Sequence, residues 1–355
     1  MKNFKRIVMA AFAVVIATAY TVPMAPAYAQ SSASLSIAPK KTYLIEPGKS
    51  VKDKLTIRNL DTTSDLNLTL RVVDFTFTDD GGTPKLFLDE GAPLTTWSLK
   101  PFMSVPKSVS IPKGGSKTLD MSVAIPKGHG AGSFYSAIIY SSGAPSGGGN
   151  VGLSASGVTL VFTQIPGDVN ENLKLEKFGA YSEATPSRPA DYVFFATEEP
   201  RKIAYTLKNS GNVTEAPVGS ITLNGWFGEP ITIDNVNPSG SLALIGQSRT
   251  YTSCIKLQKQ EVNFEGQKTQ APTCASPGLF PGIYTATLDL YYGQNGNTTK
   301  EVKGTAVFWY FPWWSIVLFL IVLAVVVFYG WKLYNWVRSK LGRQPRSIKR
   351  SSRRK

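Results

Sequence analysis

The segment LTIRN at residues 55–59 recurs as YTLKN at 205–209, and GSF at 132–134 recurs as GIY at 282–284. Both pairs are offset by 150 residues. In each unit a strand ends at an Asn, which tolerates a turn conformation, and a later Gly lets the chain turn into a strand that carries an aromatic residue at its corner. Two matches at one offset predict two tandem modules of the same kind.

Short alternating or β-branched runs extend outward from these repeats. Turn signals such as EPG at 46–48, DGG at 80–82 and PKGG at 112–115 separate the runs. Short strands with regular turn punctuation are typical of β-sandwiches. The sequence therefore predicts an all-β fold of two tandem immunoglobulin-like β-sandwiches, with strands near 51–59, 66–77, 118–125, 133–140, 158–165, 204–209, 219–223, 283–291 and 301–307.

The length of the region between the chain ends suits two domains of about 100–150 residues each. We expect the first sandwich to cover residues 30–169 and the second to cover 170–310. The Pro-containing segment 183–190 is then a loop within the second sandwich.

A C-terminal apolar segment is predicted to cross a membrane. Residues 315–331 hold no charged side chain, and a span over 312–334 is long enough for a bilayer core. A basic tail follows at 335–355, as is typical of the cytoplasmic side. A buried core helix is the alternative interpretation. Tryptophans, which favour membrane interfaces, flank the span: Trp309, Trp313, Trp314, Trp331 and Trp336.

The N-terminus reads as a secretory signal peptide over residues 1–29. Three basic residues precede an apolar stretch, and the small-residue site Ala27-Tyr28-Ala29 follows. An uncleaved anchor is the alternative. Either interpretation places residues 30–308 outside the cytoplasm. For the mature, cleaved chain the sequence predicts a single-pass cell-membrane protein with its N-terminal domains outside the cytoplasm and its C-terminus inside.

The net charge of +14 is concentrated at the chain ends. Of 38 Lys and Arg, 3 precede residue 30 and 10 follow residue 331, which leaves 25 against 24 Asp and Glu. The region between the ends is thus nearly neutral, which argues against nucleic-acid binding. The basic tail can instead attract anionic lipid headgroups.

Catalytic residues are scarce, and the sequence predicts a protein that is not an enzyme and has no cofactor. His129, the single histidine, lies between glycines and is expected to be a solvated loop residue. The acidic pairs are expected to be solvated loop charges, because glycosidase chemistry needs two carboxylates that face across a cleft. No metal site is predicted, although Asp79, Asp80 and Asp89 could hold a surface Ca²⁺. The pairs are Asp79-Asp80, Asp89-Glu90 and Glu198-Glu199.

The cysteines Cys254 and Cys274 are the only two in the chain. An oxidising compartment favours a disulfide between them, whereas a thiolate metal site would need more ligands. The bridge would close a polar loop of about 20 residues, worth about 3 kcal/mol in the chain-entropy model.

A possible edge strand follows a glycine-rich loop at 142–150. Val151, Leu153 and Ala155 alternate with small or polar residues, and this segment is the candidate for pairing with a partner strand. An ordinary hairpin that closes the first sandwich is the alternative.

Several segments resemble a recurring bacterial surface pattern. WSL at 97–99, SVSIPKGGSKTLDMSVAIP at 108–126 and GSFYSAIIY at 132–140 follow in order. This order is similar to that of the N-terminal immunoglobulin-like domain of WxL-interacting proteins and, more distantly, to the first domain of periplasmic pilus chaperones. A second set of segments is similar to the membrane-proximal domain of bacterial surface proteins with the same layout: LKNSGNVTEAPVGSITLNGWFGEPI at 207–231, GIYTATLDLYYG at 282–293 and FWYFPWW at 308–314.

The resemblance implies a non-enzymatic protein whose sandwiches bind a cell-wall-associated protein or peptidoglycan. A chaperone or assembly factor that pairs with strands of secreted subunits is the second hypothesis, and a wall hydrolase or transferase is the third. Pro312 is expected to end the last strand and to keep the second sandwich close to the membrane.

Overall fold

The computed structural model describes residues 35–77, 84–91, 93–142, 155–186, 188–264, 267–293 and 299–341. Within these ranges the chain is built from β-strands followed by one long C-terminal helix. The predicted all-β fold of two immunoglobulin-like sandwiches with a C-terminal helix is confirmed. The predicted signal segment and most of the basic tail lie outside the described residues.

The first sandwich packs two sheets face to face, with strand orders β1-β3-β9-β7 and β2-β11-β10-β4-β8, and a small β5-β6 ribbon beside them. A 3-10 turn at Lys100–Phe102 precedes β7. The strands are β1 (Leu35–Ser36), β2 (Lys40–Leu44), β3 (Ser50–Asn59), β4 (Leu66–Val73), β5 (Phe75–Phe77), β6 (Pro84–Leu86), β7 (Met103–Ser104), β8 (Ser108–Ile111), β9 (Ser116–Ala124), β10 (Gly132–Ser142) and β11 (Ala155–Ile165).

The second sandwich repeats this arrangement, with strand orders β13-β12-β15-β18 and β14-β22-β21-β16-β17, and adds a β19-β20 hairpin. The strands are β12 (Leu173–Ser182), β13 (Asp191–Tyr192), β14 (Phe195–Ala196), β15 (Lys202–Asn209), β16 (Val218–Gly225), β17 (Ile231–Asp234), β18 (Ser248–Cys254), β19 (Leu257–Phe264), β20 (Gln267–Cys274), β21 (Gly282–Tyr292) and β22 (Lys300–Tyr310). Helix α1 then runs over Trp313–Leu341.

Alternation along the strands builds each core. In β3 the side chains at 55, 57 and 59 are buried, whereas those at 52, 54, 56 and 58 are exposed. Successive residues of a strand point to opposite faces, so this pattern directs one face into the sandwich. The same alternation in β21 buries Tyr284, Ala286, Leu288 and Leu290 in the second core.

The two sandwiches meet end to end through polar backbone contacts. The backbone N–H of Ser133, at the start of β10, donates to the carbonyl of Asn212 at 2.9 Å. The backbone N–H of Thr214 donates to Ser133 Oγ at 2.9 Å, and Asn212 Nδ2 donates to the Ala131 carbonyl at 3.3 Å. The loop after β15 is therefore fixed to the start of β10.

An apolar cluster completes this junction. Leu244 of the second sandwich is fully buried and packs among first-sandwich residues. The guanidinium of Arg249 lies 4.9 Å from the centre of the Phe77 ring. The first-sandwich members include Val73, Phe75, Tyr135, Ala137, Ile139 and Phe162. Because this cluster takes residues from both sandwiches, their separation would expose apolar surface to water.

Trp97 of the WSL segment lies in a turn and not in a strand. Residues 95–99 form a turn, and only Ser98 makes an isolated bridge to Tyr135. The buried carboxylate of Asp74 holds this turn by accepting hydrogen bonds from Ser98 Oγ at 2.7 Å and from Ser136 Oγ at 2.9 Å. The Trp97 carbonyl also accepts the backbone N–H of Tyr135 in β10 at 2.9 Å, so the turn is fixed to that strand.

Candidate binding groove in the first sandwich

The segment predicted to pair with a partner falls at the start of β11. Val151 and Leu153 lie outside the described residues, and Ala155 is the first residue of β11, paired with Ser141 of β10. On its other side, β11 pairs in parallel with β2, from Leu160 to Gln164. Most of β11 therefore lies inside its sheet, and the role of residues 151–155 stays a prediction.

Among the residues that the structure describes, no strand covers the outer edge of β3 from Ser50 to Ile57. The short strand β1 pairs only with Arg58 and Asn59, after which the chain crosses to the other sheet as β2. Strand β9 covers the opposite side of β3 from Ser50 to Arg58. Because backbone groups alternate in direction along an antiparallel strand, the amides of Lys52, Lys54 and Thr56 face away from β9.

A groove of about 480 Å³ lies beside this open edge. The chain crossing from β1 to β2 forms one wall, and β3 forms the other. Tyr140 and Thr159 also line it, and their hydroxyl groups lie 3.1 Å apart. The basic lining residues are Lys41, Lys54 and Arg58.

A polar network closes one end of the edge. Lys41 Nζ donates to Asp53 Oδ2 at 2.5 Å and to the Lys54 carbonyl at 2.9 Å. The backbone N–H of Lys54 donates to Asp53 Oδ1 at 2.7 Å, and Tyr43 OH donates to Asp53 Oδ2 at 2.5 Å. The side chains of Asp53 and Lys41 thus pair with the outward N–H and C=O groups of Lys54. Such pairing discourages unwanted strand addition at an edge.

The same network shifts the pKa values of Asp53 and Tyr43. Hydrogen bonds from Lys41 and Tyr43 lower the pKa of Asp53 to about 2. Burial, together with the hydrogen bond to Asp53, raises the pKa of Tyr43 above its ordinary value. Asp53 therefore stays ionised at neutral pH and neutralises Lys41, while Lys54 and Arg58 give the groove a positive charge.

This arrangement can hold an extended chain with an acidic group. The open amides at Thr56 and Lys52 offer main-chain hydrogen bonds, as in recognition by strand addition. Arg58 can form a bidentate pair with a carboxylate or a phosphate. The alternation of Lys52, Lys54, Thr56 and Arg58 on exposed positions was the sequence signal for this surface, and our sequence reasoning missed it.

His129 corrects one expectation. It is half-buried rather than solvated, because its ring packs edge-on against Phe102 and Phe134, with ring centres 4.8 and 4.5 Å apart. His129 Nδ1 also lies 3.0 Å from the Gly130 carbonyl oxygen. The imidazole therefore fills the corner of the first sandwich.

The described acidic pairs contact neighbouring loop residues and, at Glu199, a distant segment of the chain. Asp89 Oδ1 accepts the Gly91 N–H at 3.0 Å, and Glu90 lies 3.4 Å from Arg71. Glu199 accepts the Leu279 N–H at 2.5 Å, which ties the chain before β15 to the chain before β21. Asp79 and Asp80 lie outside the described residues.

The disulfide between Cys254 and Cys274 is present, with the two Cα atoms 5.1 Å apart. The enclosed loop is the regular β19-β20 hairpin, with pairs from Leu257 with Cys274 to Phe264 with Gln267. The expected bridge is confirmed, and the polar loop has more order than its composition suggested.

The predicted interface tryptophans lie where the last strand passes into α1. Trp309 is near the end of β22, and Trp313 and Trp314 form the first turn of α1. Trp331 follows Trp313 by about 27 Å along the helix axis, and Trp336 lies further along. Trp313–Lys340 is long and apolar enough to cross a membrane, and none of its most apolar window is buried in the protein.

The expected strand end near Pro312 is also found. Strand β22 ends at Tyr310, and α1 begins two residues after Phe311. The Pro312 carbonyl accepts hydrogen bonds from the backbone N–H groups of Ser315 at 2.9 Å and Ile316 at 3.3 Å, which starts the helix.

Comparisons with known proteins returned structural likenesses only. No family model matches the sequence, and no curated protein matches it. The class 5 fimbriae chaperone CfaA is 10% identical over 76% of this chain and 98% of its own, with a TM-score of 0.33. The Escherichia coli chaperone DraB is 14% identical over 76% of this chain and 96% of its own, with a TM-score of 0.32. A chain from the complex of the Salmonella enterica SafA pilin with the SafB chaperone is 9% identical over 77% and 96%, with a TM-score of 0.31.

Proposed function

We propose that this chain is a non-enzymatic, single-pass membrane protein whose tandem sandwiches bind a cell-wall-associated protein or peptidoglycan outside the cytoplasm. Support for the anchor comes from α1, which is apolar, exposed and flanked by tryptophans, with basic residues at its far end. The signal-like N-terminus places the sandwiches outside, and the basic tail remains inside beside anionic lipid headgroups.

The open β3 edge beside the basic groove carries the binding part of the proposal. It lies in the sandwich that is further along the chain from α1, and the junction between the sandwiches links it to the anchor. Peptidoglycan and many secreted proteins carry carboxylates, which Lys54 and Arg58 can attract.

Co-sedimentation of the full-length chain in detergent with stripped peptidoglycan sacculi tests this function. Arg58→Ser should lower saturable retention, because it removes a bidentate donor from the groove. The matched control is Lys208→Ser, since Lys208 is an exposed basic residue at the equivalent position of the second repeat. Retention that falls equally in both variants would indicate charge-driven adsorption.

A complete lack of retention by the wild-type chain would reject direct wall binding. A wall-associated protein would then be the remaining ligand of the leading proposal. Cross-linking of the full chain in cells, followed by identification of an adduct that Arg58→Ser removes, would distinguish that ligand from no ligand at all.

A membrane-anchored chaperone that pairs with strands of secreted subunits is the second candidate function. The outward amide of Thr56 favours it, because that amide faces the groove rather than β9. Thr56→Pro removes this donor without removing a β3-β9 hydrogen bond. Strand capture should then be lost, whereas the retention on sacculi that depends on Arg58 should persist, so the variant distinguishes the two functions.

A further inference from the structure

Exposed aromatic side chains line the end of the second sandwich from which α1 continues. Trp226 and Phe227 are each 64% exposed, and Phe280 is 59% exposed. Phe194, Phe195 and Trp309 are exposed beside them. We call this set the aromatic face: Phe194, Phe195, Trp226, Phe227, Phe280 and Trp309.

Sheet topology brings these residues together. Strands β14, β22, β21 and β16 are neighbours in one sheet. At one end of that sheet, Phe195 pairs with Trp309, Gly282 pairs with Tyr310, and Gly225 pairs with Tyr284. Four adjacent strands span about 14 Å at the usual strand spacing, so the aromatic residues that flank these positions share one end of the sandwich.

Local contacts fix the loops that carry the face. Tyr284 OH donates to the Phe280 carbonyl at 2.8 Å, which holds the chain before β21. The ring of Trp309 lies 6.1 Å from that of Phe194, and the ring of Phe195 lies 6.3 Å from that of Phe311. A backbone hydrogen bond near a strand end, as well as contacts between aromatic rings, therefore holds the aromatic face in place.

The aromatic face is continuous with the start of α1. Only Phe311 and Pro312 separate Tyr310 from Trp313, so the Cα atoms of Tyr310 and Trp313 lie at most about 11 Å apart. Phe195 lines a groove of about 940 Å³ together with Pro312, Trp313 and Trp314. A membrane entered by α1 at Trp313 must therefore lie next to this face.

The charges around that groove balance. Lys202 Nζ lies 2.7 Å from Glu183 Oε1, and the other charged lining residues are Arg188, Arg201, Glu198 and Glu199. A balanced set gives no strong preference for anionic lipid, so apolar and aromatic contacts dominate at this end.

We propose that the aromatic face lies in the interfacial layer of the outer leaflet beside α1, so that the second sandwich rests on the lipid surface. This inference rests on the proposed membrane anchor. Tryptophan favours the interface because its ring combines an apolar body with a polar N–H, and phenylalanine buries its apolar ring at the boundary between headgroups and acyl chains. The contact fixes the tilt of both sandwiches and hence the height of the β3 groove above the membrane.

Tryptophan quenching by brominated lipid tests the proposal on the full-length chain in zwitterionic phosphatidylcholine nanodiscs. Bromine is placed high on the acyl chains. Trp226→Phe should lower the quenchable emission and leave the unquenchable emission unchanged. The matched control, Trp97→Phe, should instead lower the unquenchable emission, because Trp97 stacks on Tyr135 near the junction of the sandwiches.

A Trp331→Phe variant separates failure of the inference from failure of the anchor. The bromine high on the acyl chains is present in both leaflets, and Trp331 lies about 27 Å along α1 from Trp313, at the level of the inner leaflet's bromine. If Trp331 is quenched but Trp226 contributes to the unquenchable emission, the anchor stands and the docked face is wrong. If Trp331 is not quenched, the membrane anchor itself is wrong. Persistence of Trp226 quenching at high salt would agree with the balanced charges, whereas its loss would overturn the aromatic basis of docking.

Discussion

The two sandwiches place the same asparagine at the same strand end, yet only one of these ends is covered. Asn59 Nδ2 donates to the carbonyls of Ser64 and Pro112, and its Oδ1 accepts the Asp61 N–H. Both loops around Asn59 are exposed to solvent. The asparagine thus works as an internal bridge between two loops.

Asn209 repeats this bridge at the junction of the sandwiches. Its Nδ2 donates to the carbonyls of Val213 and Ala243, and its Oδ1 accepts the Gly211 N–H. Here the bridged loop carries the contacts to the first sandwich. The repeated motif determines the loop geometry, whereas the neighbouring sandwich determines how that loop is used.

The strand corners differ in a second way. In the second sandwich the Tyr284 hydroxyl bonds to the Phe280 carbonyl, as in a tyrosine corner. In the first, Phe134 has no hydroxyl, and His129 packs against its ring instead. The strand corner is therefore held by a hydrogen bond in the second sandwich and by an aromatic contact in the first.

Removal of the bridging asparagines should have the largest effect. Asn209→Ala removes three hydrogen bonds at a buried site, although the Ala243 carbonyl keeps the bond from the Glu215 N–H at 3.2 Å, so we expect a loss of about 3 kcal/mol in the free energy of unfolding. Asn59→Ala should cost about 2 kcal/mol, because water can reach its exposed loops. Urea unfolding of the full chain in detergent measures both.

The difference between these two variants is the informative quantity. Equal losses would show that the junction adds nothing to the Asn209 bridge. A larger loss for Asn59→Ala would reverse our interpretation of the covered and uncovered ends.

The equivalent corner glycines should also behave differently. Gly132 has φ of +142°, and a Cβ there would lie 2.8 Å from the Asn212 carbonyl oxygen of the other sandwich. Gly132→Ala should therefore destabilise by about 2 kcal/mol. At Gly282 the nearest atom to an added Cβ is 3.7 Å away, so Gly282→Ala should change stability by less than about 0.5 kcal/mol.

Thermal unfolding of both glycine variants under identical conditions measures this contrast. Combining Gly132→Ala with Asn212→Ala adds a second test, because the strained contact is with a backbone atom. The double variant should not recover stability, and recovery would place the contact in the Asn212 side chain.

Much of the two-sandwich fold could be predicted because the sequence signals for its strands and turns are local. Strands are found at all nine predicted positions, although the predicted strand at 66–77 is divided at Asp74 into β4 and β5, which belong to different sheets. Alternation and turn residues act over a few positions, which is why these strands could be predicted. The Asn59 and Asn209 repeat indicated equivalent modules, and Cys254 and Cys274 indicated a bridge. Each signal depends on residues close in sequence or on a simple count.

The missed features depend on contacts between distant segments. The β3 groove exists because β1 leaves its sheet after Ser36 to pair with β11 as β2, and no short motif encodes that crossing. Residues that form the aromatic face come from four separate strand ends. His129 was misjudged because its partners, Phe102 and Phe134, come from the 3-10 turn and from β10.

The tyrosine corner allows a smaller test. Tyr284→Phe removes one hydrogen bond to a backbone carbonyl, so the expected loss in stability is about 1 kcal/mol. Tyr291→Phe is the matched control, because Tyr291 lies exposed on the same strand. Thermal unfolding should separate the two, and a neutral Tyr284→Phe would mean that ring packing alone maintains the corner.

Removal of the Asp53 carboxylate should have the smallest effect on the free energy of unfolding. This carboxylate has no counterpart at the equivalent position of the second repeat. The equivalent repeat position is Ile203, which is buried and cannot ionise. Because the folded pKa of Asp53 is lowered to about 2, its stabilisation is complete above about pH 4 and is lost as the pH falls towards 2. The Asp53 side chain is 36% exposed, so solvent screening limits this contribution to less than about 1 kcal/mol. Unfolding free energies of wild type and Asp53→Asn between pH 5 and 2, roughly the window in which such a carboxylate titrates, should converge as the pH falls. Curves that remain parallel would show that Lys41 and Tyr43 close the edge of β3 without stabilising the carboxylate.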